Sequence, residues 1–261
     1  MQTNNILTSS TAPFILPNLS AWQKSQLMKH AEQVLITQHH MLTKTGKNIL
    51  HHTLQKKRKH IRFNHYPKGD RIDYKTGGQY FYHCHRENKD MDEHGHFHCY
   101  LRQKFIPKHI KPRPLADWDK HIDSPMAHLI AIGMNRLGQP IRLFTVNRWV
   151  TSETWYDAKH APNFIKRFKM TLCDDPYWQP LDQWVEGMLH LFAPQITWLH
   201  QERDARMAQH ANDYPNENIY EYRDIDELSE IPIDLQTQVE WIMNSQPAAP
   251  EKRMVAEQNA I

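Results

Sequence analysis

Cysteine and glycine are scarce in this 261-residue chain, which has 3 Cys and 8 Gly. The cysteines, Cys84, Cys99 and Cys173, are odd in number and unclustered, which argues against a disulfide framework and fits a reducing compartment. No apolar run approaches the ~20 residues that a bilayer span needs, and residues 1–20 lack the basic start and long apolar stretch of a secretory signal. The expectation is a cytoplasmic protein with no membrane partner. The phosphate-binding P-loop, the dinucleotide glycine fingerprint, the nucleophile elbow and the His-Glu-x-x-His helix are all missing, which removes the best-defined enzyme classes.

What remains is a polar globular composition, 39% hydrophobic and 23% charged, suited to a modest core. Histidine is abundant: 19 residues, of which 14 fall in residues 1–126. Charge is divided along the chain. Residues 1–126 hold 20 Lys and Arg against 10 Asp and Glu, and residues 127–261 hold 12 against 19. Such asymmetry either steers an anionic partner, a small substrate or a nucleic acid, toward the first half or lets the two halves attract each other within one fold.

The hydrophobic pattern predicts an α+β fold: a small antiparallel sheet of at least four strands in two hairpins, flanked by N-terminal and C-terminal helices. Residues 1–19 read as a flexible leader, 20–244 as a single domain and 245–261 as a disordered tail. Ser20 and Gln23 form a capping-box pattern ahead of apolar residues at three- and four-residue spacing, and the helix should stop near Gly46. A second helix from Asn48 should run into Lys56-Lys57-Arg58-Lys59-His60-Ile61-Arg62, a basic stretch that suits nucleic acid or phosphate but equally a solvated helix face. Residues 66–70 and 75–78 carry turn chemistry. After them the period changes to two, with strands expected at 79–86, 94–102, 128–134 and 141–146. Thr151 is the expected cap of a short helix reaching Trp155, and a short extended piece is expected at 219–222.

The sharpest chemical signal is His83-Cys84-His85 followed by Glu93-His94-Gly95-His96-Phe97-His98. Alternate residues of a strand share a face, so His83 pairs in direction with His85, and His94 with His96 and His98. A register that sets His83 opposite His96 brings these imidazoles together on one face, where three or four can converge on one ion. A one-residue slip would separate the two sets. Imidazole suits Zn and Fe: three histidines with an open position make a Lewis-acid or hydrolytic zinc site, and two with a carboxylate permit iron and oxygen chemistry. Glu93 is placed to add an oxygen ligand or act as a base. A second cluster, Asn147-Arg148-Trp149-Val150-Thr151-Ser152-Glu153, offers Arg148 as an anchor for an anionic substrate and Glu153 as ligand or general base. The competing readings are a non-catalytic metal-binding or sensing protein, a pH-responsive or merely solvated histidine face, and an anion- or nucleic-acid-binding module. Isolated histidines, His128 and His190 among them, carry no such geometry in the sequence.

Together, residues 79–86 and 93–98, the stretch Leu143-Phe-Thr-Val-Asn-Arg-Trp-Val-Thr151, and Arg203-Asp204 resemble a family of bacterial proteins, mainly proteobacterial, known as a domain of unknown function. The resemblance spans about residues 20 to 240, implies a single domain and a bacterial source, and implies no activity. The His-x-His strand is also similar to that of the cupin superfamily, without its glutamate and glycine spacing, since Glu87 follows His85 by only two residues.

Overall fold

The computed structural model describes residues 14–55, 61, 64–84, 92–115 and 125–245. The basic run (Ile61 apart), His85, most of the expected leader and nearly all of the expected tail lie outside them. Six antiparallel strands form one sheet in sequence order: β1 (Tyr66–Ile72), β2 (Gly78–Cys84), β3 (Glu93–Arg102), β4 (Met126–Asn135), β5 (Pro140–Val146) and β6 (Glu227–Pro232). Seven α-helices are described: α1 (Ala21–Thr45), α2 (Ile49–Leu54), α3 (Arg148–Thr151), α4 (Ala161–Arg167), α5 (Gln179–Leu191), α6 (Ala193–Asp213) and α7 (Leu235–Asn244). The fold is α+β, with helices in both the N-terminal and C-terminal regions. None of the described helices is long and apolar enough to cross a membrane.

Local sequence explains most boundaries. Ser20 caps α1 in a full capping box with Gln23, and Gly46 closes it in the left-handed conformation at φ 64°. Asn48 caps α2, which ends at Leu54. Proline occupies the first turn of α4, α5 and α6, where its missing N–H costs no helical hydrogen bond. Helices cover one face of the sheet. Tyr80, Tyr82, Cys84, Phe97, Cys99 and Leu101 point into that layer, as their alternation predicts, and Phe97 packs against Trp184 of α5. Burial pushes the Cys84 and Cys99 thiols up from their ordinary range, so both act as small core residues.

Three elements differ from expectation. Residues 66–70 are not a turn but part of edge strand β1, whose pairing with β2 is interrupted between Tyr66 and Arg71, where Gly69 and Asp70 have positive φ. Residues 219–221 form a short 3-10 turn, and the extended piece is β6, eight residues later. Asn147, not Thr151, caps α3, which starts before Thr151 and is closed by Ser152 at φ 51°.

Candidate metal centre

Strands β2 and β3 pair with His83 opposite His96 and Phe81 opposite His98. His96 and His98 are alternate residues of β3, so their rings emerge on the sheet face away from the helix layer. His83 Nε2 lies 2.7 Å from His96 Nε2, which lies 3.0 Å from His98 Nε2. One nitrogen from each of His83, His96 and His98 lies within 4.8 Å of the others, and this trio can hold a metal ion. His96 and His98 are 6% and 2% exposed, so their donor atoms are withheld from bulk water. Phe81 meets His98 at 5.3 Å between ring centres and Phe144 meets His96 edge-on at 4.9 Å, giving the cluster apolar walls.

The outer nitrogens are also engaged. His96 Nδ1 is 2.8 Å from Glu93 Oε1, while Glu93 Oε2 takes a hydrogen bond from Arg142 Nε at 2.5 Å. A carboxylate paired with arginine accepts, so the His96 proton sits on Nδ1 and its Nε2 lone pair faces the cluster. Arg142 also binds Glu227 and Glu230 and lies 3.9 Å over the Phe144 ring. Burial works against the Arg142 charge, but Glu227 and Glu93 outweigh it and hold its pKa above the ordinary value. Gly133 makes room for this clamp: a Cβ there would lie 2.7 Å from Glu93 Oε2.

His98 Nδ1 meets a fourth histidine, His128 Nε2, at 3.0 Å. Burial, then the nearby Arg203 charge, pushes the His128 pKa down to about 3, so this ring is neutral. A neutral His128 whose Nε2 accepts from His98 Nδ1–H leaves the His98 Nε2 lone pair facing His83 and His96. Its backbone N–H donates to Glu153 Oε2 at 2.9 Å, and burial raises Glu153 to about 7 against the pull of Arg203.

The expected site residues are therefore distributed as follows. His83, His96 and His98 meet. His94 does not join them, because a bulge in β3 between Glu93 and Gly95 shifts the pairing with β4. Glu93 takes the position on the cluster face, and His94 turns to Tyr82, whose hydroxyl lies 2.8 Å from His94 Nδ1. His85 lies outside the described residues. Glu93 is held between His96 and Arg142 rather than open at a strand mouth. Arg148 is bound to Glu221, and Glu153 lies behind His128.

The sequence reading missed Arg142 and, on the histidine face itself, His128. Regular alternation would pair it with Leu101 on the helix side, but a second bulge between Cys99 and Tyr100 pairs it with Tyr100 on the histidine face. A histidine followed by Leu129-Ile130, two consecutive buried core residues, is the one trace this bulge leaves in the sequence.

Fold and site together define an α+β protein with a histidine trio, two of its members buried, able to hold a metal. The chain belongs to the family described as Domain of unknown function (DUF6969), whose profile matches residues 28–233. Comparison with curated proteins and with solved structures found no match to either.

Proposed function

We propose that this protein is a metalloprotein that binds one transition-metal ion through His83, His96 and His98, and that it is a zinc- or iron-dependent enzyme acting on a small anionic substrate. The observation that carries the reading is the pairing of converging Nε2 atoms with a buried carboxylate, Glu93, on the Nδ1 of His96. Carboxylate support of the outer nitrogen is the usual companion of a ligating histidine, because it fixes the tautomer and raises ligand basicity. A solvated or purely structural histidine face has no need of it.

The spacing suits a small ion. Tetrahedral ligands about 2.0–2.1 Å from zinc stand about 3.3 Å apart, so the 2.7 and 3.0 Å separations need to open by only about 0.3–0.6 Å. Three protein ligands leave a position for substrate, and a bound zinc would supply Lewis-acid chemistry there. Within this reading Glu93 orients His96 rather than acting as a base, and Arg142 holds that carboxylate in place. Glu153 supports His128 from behind, and Arg148, bound to Glu221, is the candidate anchor for the anion.

Cobalt(II) in place of the native ion tests both the ligand set and the open position. The expected result is visible absorption of four- or five-coordinate cobalt that changes when azide is added. Six-coordinate cobalt indifferent to azide would remove the catalytic reading.

A further inference from the structure

Behind His128 lies a narrow cavity lined by His128, Glu153, Tyr156, Asp157, His200 and Arg203 with three smaller or apolar neighbours, wide enough to admit one water molecule. Its polar walls are only half spoken for. Glu153 spends Oε2 on the His128 backbone N–H, and His128 spends Nε2 on His98. Arg203 spends Nε on Asp204, and Nη2 on both Asp204 and the Tyr156 carbonyl. Among the described residues, Glu153 Oε1, His128 Nδ1 and Arg203 Nη1 have no hydrogen-bond partner. Glu153, His128 and Arg203 are each 2% exposed. Buried polar atoms around a water-sized space are ordinarily satisfied by an ordered water making about three hydrogen bonds.

We propose that this cavity is a binding site for one structural water, which accepts from Arg203 Nη1 and His128 Nδ1–H, donates to Glu153 Oε1, and so fixes the tautomer of the histidine row. The consequence runs outward to the centre. A proton held on His128 Nδ1 makes its Nε2 an acceptor, which obliges His98 to carry its proton on Nδ1 and to present the Nε2 lone pair toward His83 and His96. Glu153 and Arg203 are thereby positioning residues: they touch no ligand nitrogen but set the protonation pattern of one. This inference rests on the metal reading for its purpose, not for its geometry.

Glu153→Gln separates the possibilities because it keeps the shape and reverses one hydrogen bond. The glutamine oxygen must still accept the His128 backbone N–H, so its amide faces the water and donates. The water then donates to His128 Nδ1, which moves the His128 proton to Nε2 and the His98 proton away from Nδ1. Nitrogen-15 NMR of histidine-labelled protein reads both tautomers, at about pH 8.5, where Glu153 is ionised. The expected result is His128 protonated on Nδ1 in the wild type and on Nε2 in Glu153→Gln, with zinc affinity lowered about 10- to 100-fold in the variant. Unchanged histidine tautomers in a folded variant would overturn the proposal. So would a high-resolution crystal structure of the wild type with no water within hydrogen-bonding distance of Glu153, His128 and Arg203, a measurement that needs no variant. A tautomer switch in a protein that takes up no zinc would support the water-linked chain while overturning the metal centre.

Discussion

Histidines buried in neutral form should make this protein acid-labile well above the range where carboxylates titrate, and His190 isolates the effect. It lies on α5, on the helix side of the sheet, with Nε2 3.0 Å from the Phe168 carbonyl and its ring stacked 4.7 Å from His30. Burial, reinforced by the Lys169 and His30 charges, pushes its pKa from 6.5 to about 4. Above pH 6.5 neither folded nor unfolded chain holds the proton. As pH falls the unfolded chain takes it up near 6.5 and the folded chain only near 4, so stability drains across that window and stays lost below it. At about 1.4 kcal/mol per pH unit, the loss assigned to His190 is about 3 kcal/mol. Glu153 works in the opposite sense: its folded pKa of about 7 against an ordinary 4.5 contributes stability in acid that is lost as pH rises through that interval. His190→Gln keeps a donor for the Phe168 carbonyl and cannot be protonated. Urea unfolding at a series of pH values should show the variant somewhat less stable at pH 7.5, with the gap closing and reversing toward pH 4 by about 3 kcal/mol in all. Parallel stability curves for the two proteins would refute the reasoning.

Two further outcomes follow from the packing. Gly133→Ala places a Cβ 2.7 Å from Glu93 Oε2 and 2.8 Å from Arg142 Cγ, so the clamp on His96 must shift; the expected cost is about 1–3 kcal/mol in urea unfolding, and a midpoint equal to wild type would show the clamp to be slack. Asp182, 1% exposed, accepts from Arg71 and Tyr80, so Asp182→Asn removes the buried one of the two carboxylates that hold Arg71 and should cost about 1.5–3 kcal/mol. Asp174 pairs with the same arginine from a carboxylate that is 57% exposed, and Asp174→Asn should cost under about 1 kcal/mol. Equal losses in the two variants would contradict the assignment of burial.

Which faces of β2 and β3 are buried was legible, because alternation sets Tyr80, Tyr82, Phe97 and Cys99 on one side, whereas the pairing of His83 with His96 was an assumption that the observed register matches. The bulges were not legible. Each adds one residue whose only mark is a broken alternation, and between them they exchange His94 for Glu93 and bring His128 onto the histidine face. The edge strands were hidden for a different reason. In β1, Pro67 and the positive-φ pair Gly69 and Asp70 carry the chemistry of a turn, and in β6 only Leu228 is buried. Sequence thus revealed the histidine-bearing hairpin and Glu93 beside it, whereas the engagement of Arg142 and His128 depends on contacts between segments distant in the chain.

Titration of chelator-treated protein with Zn²⁺, wild type beside His96→Ala, tests the central claim most directly. The wild type should bind one ion per chain, and the variant, with its circular dichroism spectrum and unfolding midpoint checked for an intact fold, should lose that binding. A wild type that binds no ion, or a folded His96→Ala variant that binds it equally well, would contradict the three-histidine centre.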